Sequence, residues 1–424
     1  MTNLEFHSLS SYVIDKRRDF HKYPEQGWHE FRTTAMIFWE LSRFGYSVKW
    51  LDDFIPKDSV LGRDLSDDEE LAEKQRALRE GADREVLESF HLTGLIAEIA
   101  APRQGSTKGF RFDIDCVEVE ESQDPERLPS RAGFRSVHRG LMHACGHDGH
   151  AALGLAMAKY VSDHLDSLSG KYVFIFQPAE EGCRGGEAVS RIPLIGRIND
   201  FVSFHLGMKV PSGLAALNPT DFLASTKFNL AVHGKAAHAG IEPWKGINAL
   251  DCAARIAVKL FQIPSAISRT ARLNIGKFRS DNGRNVVADL VTMQCETRGK
   301  DSAENNAVYS EAVDVIQDEI AGSRCRHDLK IVGRSEEIVN SPELVDMLRK
   351  ACIKTGHGFL ETAPFSASED SSLIERTIRG KGGRTLHFIL GNNTCSGHHT
   401  PEFDLDESSL VRDIQLLAEI INSI

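Results

Sequence analysis

One short segment limits what this chain can fold into more than any other. Residues 141–158 read LMHACGHDGHAALGLAMA, so three histidines, a cysteine and an aspartate lie within a few positions, directly before an apolar run. The run fits a buried helix, and the polar residues would then lie where a loop enters that helix. Cysteine thiolate and histidine nitrogen are ligands that suit zinc and similar divalent ions. The segment therefore predicts part of a metal site, contributed by Cys145 and His147.

Two ligands do not complete a metal site, so the others must come from elsewhere in the chain. The apolar strand in FIFQPAEEG is followed by Glu180 and Glu181, and the strand in FVSFHLG ends at His205. GHHTPEFD, which follows the strand TLHFILG, offers His398 and His399. Functional groups of α/β proteins collect at the carboxyl ends of the strands. In a turn, one glutamate of the pair can bind metal while the other accepts a proton.

The order of the predicted elements indicates an α/β catalytic domain with a largely parallel central sheet. Strands are predicted at GLIAEIA, GFRFDID, KYVFIFQ and FVSFHL, whose continuous apolar character is typical of burial on both faces. Residues 52–92 are highly charged and predict one or two helices, either a solvated surface insertion or a lid near the site. From Thr226 the pattern becomes βαββαβ, the ferredoxin-like order. We therefore expect a catalytic domain of residues 1–222 and 335–424, interrupted by an inserted domain of residues 223–334.

Composition excludes several classes of partner. The chain has 61 Asp and Glu against 50 Lys and Arg, and this net charge of −11 argues against nucleic-acid binding, which needs a basic face. We find no run of about 18 apolar residues that would predict a membrane span, and no secretory signal. The eight cysteines are scattered and mostly lie in apolar segments, as reduced thiols do. We therefore expect a soluble, cytoplasmic protein that binds neither nucleic acid nor membrane.

Several motifs together resemble the M20 metallopeptidases. They run in order along nearly the whole chain as RRDFHKYPEQGWHEFRT, RFDID, MHACGHDGH, FQPAEEG, HGKAAHAG, GRNVVAD, SEDSS and GHHTPEFDLDE. They are most similar to the amidohydrolase branch of hippurate, auxin-conjugate and aminobenzoyl-glutamate hydrolases, and the charged insertion is most like that of the aminobenzoyl-glutamate enzymes. Where the wider family has His-x-Asp, this chain has Asp113-Ile-Asp115, a change that the branch shares. DIDCVEV departs from the branch's usual Asp-Ala-Leu-Pro, so local substrate contacts can differ.

By matching position, the resemblance implies two divalent metal ions per chain, zinc or manganese. The ligands it implies are Cys145, His147, Glu181, His205 and His399, the last chosen over His398 because it precedes Thr-Pro. It implies Glu180 as the general base and Asp115 as a residue that orients the metal centre. The implied reaction is hydrolysis of the amide bond of an N-acyl or N-aroyl amino acid, above all p-aminobenzoyl-glutamate, by a metal-activated water.

The resemblance also implies functional residues in the inserted domain. His238 would reach the active site of a partner subunit, while Asn285 and Arg298 would bind the carboxylate end of the substrate. Arginine suits that task through its bidentate guanidinium. Arg284, beside Asn285, offers a second guanidinium for a side-chain carboxylate. The implied assembly is a homodimer formed through the inserted domain, or a heteromer with a paralogous subunit.

Other functions stay open at this point. The motifs do not separate p-aminobenzoyl-glutamate from other N-acyl amino acids, such as hippurate or auxin conjugates, or from dipeptides. A non-catalytic metal-binding subunit of a heteromer belongs to a different class, and it would be favoured if Glu180 or a ligand were missing. Catalysis by Cys145 as a nucleophile fits less well, because neighbouring glutamates and distant histidines suit a metal better than a thiol triad.

Overall fold

The structure is a computed structural model that describes residues 2–424. The first half of the chain forms α1 (Asn3–Lys22), α2 (Phe31–Arg43), β1 (Ser47–Trp50), α3 (Asp67–Arg79), α4 (Arg84–Glu88), β2 (Leu95–Ala100), β3 (Arg103–Asp113), α5 (Leu128–Ala132), α6 (His147–Asp163), β4 (Ser169–Gln177), α7 (Gly185–Ser190), β5 (Asp200–Leu206) and β6 (Leu214–Ala216). The next elements are β7 (Ala224–His233), α8 (Ala249–Leu260), α9 (Ile263–Ile267), β8 (Arg272–Arg279), β9 (Leu290–Gly299), α10 (Ser302–Ala321) and β10 (Arg326–Ser335). The last are α11 (Pro342–Thr355), β11 (Gly358–Leu360), α12 (Ser371–Arg379), β12 (Arg384–Leu390) and α13 (Glu407–Ser423).

The chain divides into two compact units. The first extends to Thr220 and resumes at Ile338–Phe365 and Asp370–Ile424, and the second comprises Asp221–Glu337 and Ser366–Glu369. Each unit has its own sheet and its own apolar core. Within residues 2–424, we find no helix with the length and apolar character that crossing a membrane requires.

An eight-stranded mixed sheet organises the first unit, in the order β1-β2-β4-β3-β5-β12-β6-β11. Its centre is parallel, because β3 pairs in parallel with both β4 and β5, and β12 pairs in parallel with β5. Antiparallel pairs flank this centre, β1 with β2 and β2 with β4 on one side and β12 with β6 on the other. The mixed α/β fold with a large, mostly parallel sheet agrees with the prediction.

Alternate residues of the central strands enter two different apolar clusters. Phe112 and Phe174 belong to the cluster that includes α1, α6 and α13, whereas Val173 and Ile175 belong to the cluster that includes α7 and α12. Because side chains alternate between the faces of a strand, burial of both faces makes the strand sequence a continuous apolar run. Each fully buried phenylalanine or valine stabilises the sheet by roughly 1.5–3 kcal/mol.

The charged segment 52–92 forms α3 and α4 and packs on α2. Ser66 caps α3 by accepting a hydrogen bond from the Glu69 N–H. A small core joins the segment to α2 and consists of Phe31, Ala35, Leu65, Ala77, Ala82, Val86, Leu87 and Phe90. Arg76 Nη2 also donates to Glu25 Oε1 at 2.7 Å, in the loop before α2. The insertion is therefore an integral part of the first unit, with its charges on the outside of a local apolar core.

An antiparallel sheet in the order β10-β7-β9-β8 forms the centre of the second unit. Along the chain its elements follow the order β-α-α-β-β-α-β. Helices α8 and α10 pack on the sheet through a common apolar core. Residues of β9 alternate between buried and exposed positions, as expected for an antiparallel sheet with only one covered face.

Candidate metal centre and active site

Segment 141–158 forms a turn followed by a buried helix, as its sequence predicted. Gly146 has φ +91°, in the left-handed region that favours glycine, and α6 begins at the next residue, His147. Cys145 Sγ lies 3.6 Å from Nε2 of His205 at the end of β5. The ligand atoms of Cys145, His147 and His205 all lie within 4.8 Å of one another. The structure thus brings together side chains from the start of α6 and the end of a parallel strand.

Two more groups of potential ligands adjoin the first. Cys145, Glu181 and His399 offer ligand atoms within 4.8 Å of one another, and so do His147, Glu180 and Glu181. Glu181 Oε1 lies 3.1 Å from His399 Nε2. Because the groups share Cys145, His147 and Glu181, they form one continuous cluster, which we call the ligand cluster. It contains all six residues that the sequence proposed as metal ligands or general base.

The ligand cluster has the chemistry of a divalent metal site. His147 Nδ1 donates to the Asp115 carbonyl at 2.9 Å, which fixes the tautomer with an unprotonated Nε2 in the neutral ring. Nε2 is buried and has no hydrogen-bond partner among the described residues. A carbonyl partner on the other ring nitrogen is typical of metal-binding histidines, and thiolate, imidazole and carboxylate are all zinc ligands. The residues present therefore fit bound divalent ions.

Protons occupy the ligand cluster in positions that a cation would take over. Hydrogen bonds to Cys145 and Glu181 raise the pKa of His399 to about 10, although burial opposes the shift. Burial, together with the neighbouring Glu181 carboxylate, raises the pKa of the Cys145 thiol. Burial and the nearby His150 ring hold the pKa of His205 well below its ordinary value. Since metal ligands bind in their deprotonated forms, a divalent ion would displace the protons of His399 and Cys145.

Two buried carboxylates hold the turn that carries the glutamate pair. Asp115 accepts hydrogen bonds from the N–H groups of Glu180 at 3.1 Å and Glu181 at 2.9 Å. Glu30 accepts the N–H of Ala179 at 2.7 Å. Burial, followed by the charge of Asp115, raises the pKa of Glu30 to about 8. The sequence singled out Asp115 as an orienting residue, whereas Glu30 was missed, although it lies in the motif RRDFHKYPEQGWHEFRT.

Asp113 and His150 lie beside the ligand cluster but are engaged elsewhere. His150 Nδ1 pairs with Asp113, and His150 Nε2 accepts the Leu206 N–H at 2.9 Å. Asp113 also accepts a hydrogen bond from Arg111 Nη1 at 2.8 Å. Both ring nitrogens of His150 are therefore occupied, and an arginine balances the charge of Asp113. This arrangement favours a supporting role for the aspartate that replaces the wider family's histidine.

Of the two adjacent histidines, His399 is the one whose Nε2 faces the ligand cluster. His398 Nε2 instead lies 3.3 Å from the Leu206 carbonyl, and burial lowers the pKa of His398 to about 4. The His399 N–H donates to the Ala144 carbonyl at 2.7 Å, which docks this loop onto the turn that carries Cys145. The geometry supports His399 as the ligand.

The site residues predicted in the inserted domain lie in the second unit. His238 and Asn285 are exposed neighbours there, since His238 forms a β-bridge with the residue after Asn285, and Arg284 is exposed beside them. Arg298 lies near the far end of β9 and pairs with Glu296 at 3.1 Å. The ten residues of β9 span about 30 Å in extended form. A single copy of this unit therefore does not bring Arg298 and Asn285 to one subsite.

A buried ionic network connects the elements around the ligand cluster. Arg17 is fully buried, donates to Asp148 Oδ2 at 2.9 Å and pairs with Asp404. His21 Nδ1 lies 2.8 Å from the same Asp148 oxygen. Asp148 belongs to the first turn of α6, and Asp404 lies in the loop after β12. The network thus fixes α1, α6 and that loop relative to one another, a role that the sequence did not reveal.

We expect this network to make stability depend on pH. Burial opposes protonation of His21, but hydrogen bonds to Asp148 and Glu121 outweigh it and raise the pKa of His21 to about 9. A histidine whose folded pKa exceeds its unfolded value of about 6.5 contributes stability that is complete below pH 6.5 and lost as the pH rises through 9. The loss amounts to about 3 kcal/mol, since one pKa unit corresponds to about 1.4 kcal/mol. Melting temperature should fall across this range in the wild type and less in His21→Gln, and equal slopes would contradict the assignment.

Thiol, imidazole and carboxylate ligands at the strand ends of a mixed α/β sheet are the plan of a metal-dependent hydrolase. Residues 109–423 match the family described as Peptidase family M20/M25/M40. The chain belongs to this peptidase family, which confirms the resemblance that the motifs indicated.

Named relatives extend over the whole chain. A p-aminobenzoyl-glutamate hydrolase homolog of Haemophilus influenzae, named as one subunit of that enzyme, is 31% identical and aligns with 100% of this chain and 99% of its own. The indole-3-acetyl-aspartic acid hydrolase of Enterobacter agglomerans is 35% identical over 95% of this chain and 93% of its own. The crystal structure of an aminobenzoyl-glutamate utilization protein from Klebsiella pneumoniae matches with a TM-score of 0.82 at 30% identity, covering 98% of this chain and 96% of that one.

Proposed function

We propose that the protein is a metal-dependent amidohydrolase that cleaves the amide bond of an N-acyl or N-aroyl amino acid, with p-aminobenzoyl-glutamate as the preferred substrate. The observation that carries this proposal is the ligand cluster, in which adjacent glutamates have different surroundings. Glu181 faces both Cys145 and His399, whereas Glu180 is grouped with His147 and Glu181 alone. One glutamate is thus placed to bind metal and the other to handle a proton. Similarity to hydrolases named for p-aminobenzoyl-glutamate and indole-3-acetyl-aspartic acid supports the substrate class.

The residues that would hold two divalent ions, zinc or manganese, are Cys145, His147, Glu181, His205 and His399. Such ions, when bound, polarise the amide carbonyl and lower the pKa of a water molecule towards neutrality. The Glu180 carboxylate accepts a proton from the attacking water and passes it to the leaving amine. Asp115 holds the backbone of this turn, so that the Glu180 carboxylate stays where the proton is transferred.

We further propose that residues 223–334 are an inserted ferredoxin-like domain that forms a homodimer, or a heteromer with a paralogous subunit. The chain order and strand order of the second unit support the fold assignment. Its edge strand β8 has unpaired backbone groups, and α8 and its end carry an exposed apolar stripe of Leu250, Val258 and Phe261. In this assembly, His238 of one subunit would act at the active site of the other.

Association should therefore depend on the stripe on α8. Light scattering should find at least a dimer for the wild type. Val258→Asp should raise the dissociation constant at least about 100-fold, because an unpaired buried charge costs several kcal/mol. Leu4→Asp, which replaces an exposed leucine of the first unit, is the matched control and should leave association unchanged. A wild-type monomer with full activity at nanomolar concentration would refute the proposal.

The substrate preference is tested with three benzoyl amino acids under identical metal loading. We expect kcat/KM for benzoyl-glutamate to exceed that for benzoyl-glutamine and benzoyl-glycine about ten- to a hundredfold, since one charge-assisted hydrogen bond is worth roughly 1.5–3 kcal/mol. A chain of net charge −11 must bind a dianion through local cations. Arg298→Gln should weaken all three reactions, and Arg284→Gln only that of the glutamate. Equal cleavage of the three would instead indicate a general N-acyl amino acid hydrolase.

A further inference from the structure

A buried glutamate outside the ligand cluster touches the catalytic turn directly. Glu30 has no exposed surface, and its Oε1 accepts the N–H of Ala179 at 2.7 Å while its Oε2 accepts the Thr93 hydroxyl at 2.6 Å. Ala179 immediately precedes Glu180 and has φ +51°, in the left-handed region. A residue with a side chain rarely adopts this conformation, so neighbouring contacts must hold it there.

The surroundings of Ala179 leave its N–H no second partner of the same kind. A Cβ on Gly27 would lie 2.8 Å from the Ala179 Cα, so the loop that leads to Glu30 packs directly against the turn. The Ala179 carbonyl is already used, since it accepts the Gly185 N–H at 2.8 Å. Without the Glu30 carboxylate, a buried N–H would lose its partner, which is unfavourable enough to make the turn rearrange.

We propose that Glu30 is a positioning residue that directs the Glu180 carboxylate by holding Ala179 in the left-handed conformation. This inference rests on the proposed function, in which Glu180 is the general base. Glu30 and Asp115 together fix three consecutive N–H groups, those of residues 179, 180 and 181. Rotation about φ of Ala179 would move both glutamates of the pair at once, so the contact with Glu30 controls a proton acceptor and a metal ligand together.

The charged insertion supports the same loop. Thr93, just beyond the end of the insertion, donates to the Glu30 carboxylate. Trp28 Nε1 donates to the Leu61 carbonyl at 2.9 Å, and Arg76 donates to the Glu25 carboxylate at 2.7 Å. The loop from residue 25 to residue 30 is therefore anchored to the insertion or its end at three points. The insertion has in this way a part in positioning the catalytic turn.

Four variants separate this positioning role from a general loss of stability. Glu30→Ala removes both contacts, and Glu30→Gln keeps an oxygen for Ala179 and an amide for Thr93. Glu30→Asp keeps the charge but shortens the reach, which covers the case in which the alanine variant does not fold. Glu25→Ala is the matched control, because Glu25 is equally buried in the same loop but caps α2 through the N–H groups of Arg32 and Thr33.

Turnover of benzoyl-glutamate by the metal-loaded protein is the first readout. We expect kcat of Glu30→Ala and Glu30→Asp to fall about 30- to 100-fold with KM changed less than about threefold, because a small displacement of a catalytic group costs rate more than binding. Glu30→Gln should recover to within about fivefold of the wild type, and Glu25→Ala should keep kcat within about threefold although its melting temperature falls.

Hydrogen exchange and zinc affinity provide readouts independent of turnover. Exchange across residues 176–185 should be faster in Glu30→Ala than in Glu30→Gln or the wild type, and the zinc dissociation constant should rise about tenfold, as for other groups that orient a ligand. The positioning role is wrong if Glu30→Ala keeps its kcat, loses no more than Glu25→Ala, or shows unchanged exchange. Should the exchange and zinc results appear in a wild-type protein that cleaves no acyl amino acid, the proposed function fails and the role of Glu30 in fixing the turn stands.

Discussion

Glu180→Gln is expected to keep its metal ions and to lose about 10²–10⁴-fold in turnover, the usual contribution of a general base. The glutamine side chain has nearly the same shape but cannot accept a proton. The five proposed ligands are untouched, and the contacts of Asp115 are to the backbone of the turn, so the substitution leaves them in place. Elemental analysis together with kcat for benzoyl-glutamate measures both effects.

Glu181→Gln is the matched control for this prediction. It makes the same chemical change one residue further along the same turn, but it neutralises the carboxylate whose Oε1 lies 3.1 Å from His399 Nε2. We expect this variant to lose metal as well as activity. If instead Glu180→Gln lost its metal and Glu181→Gln kept it, the two roles would be reversed.

Cys145→Ser should show the second large effect, a loss of metal affinity greater than the 10–100-fold or so that follows from removing a group that merely orients a ligand. Cys145 belongs to two of the ligand groups, one with His147 and His205 and the other with Glu181 and His399. A serine hydroxyl replaces a soft thiolate with a much weaker ligand. Competition with a chelator of known affinity measures the zinc dissociation constant.

Cys395→Ser is the control for the cysteine substitution. Cys395 is exposed and lies in the same loop as His399, so its replacement should leave zinc affinity unchanged. Unaltered affinity in Cys145→Ser would remove this residue from the ligand set. If that variant kept its metal but lost all turnover, the alternative in which Cys145 acts as a nucleophile would gain support.

The members of the ligand cluster could be predicted because each lies beside a strong hydrophobic pattern. Glu180, Glu181 and His205 follow or end apolar strands, and Cys145 and His147 come directly before an apolar helix. Strands that read as continuous apolar runs belong to a parallel sheet, whose carboxyl ends share one edge. Periodicity and strand order together were sufficient to predict that these side chains meet.

The charges that support the ligand cluster could not be predicted in this way. Arg17 contacts Asp148 across 131 positions of the chain, Glu30 contacts Ala179 across 149, and Arg111 contacts an aspartate 259 positions away. Neither periodicity nor spacing relates residues so far apart in sequence. Arg17 and Glu30 both lie in the motif RRDFHKYPEQGWHEFRT, so the motif was a signal that something is held there, but its letters do not say what.

Parts of the sheet were missed for a different reason. β6 and β11 have three residues each, which is too short for any period to be recognised, and they pair with each other in parallel. Their position is decided by tertiary contacts, since β6 also pairs with the end of β12. The antiparallel flanks of the sheet likewise follow from how the chain connects and not from the composition of the strands.

The central claim is that divalent ions held by the ligand cluster make this protein an amidohydrolase. The most direct test strips the purified protein with a chelator, reloads it with zinc or manganese, and follows metal content and release of amine from benzoyl-glutamate side by side. We expect activity to disappear on stripping and to return as metal content reaches about two ions per chain, the number that a dinuclear hydrolytic site requires. An enzyme that cleaves the substrate at full rate with no bound metal would contradict the account.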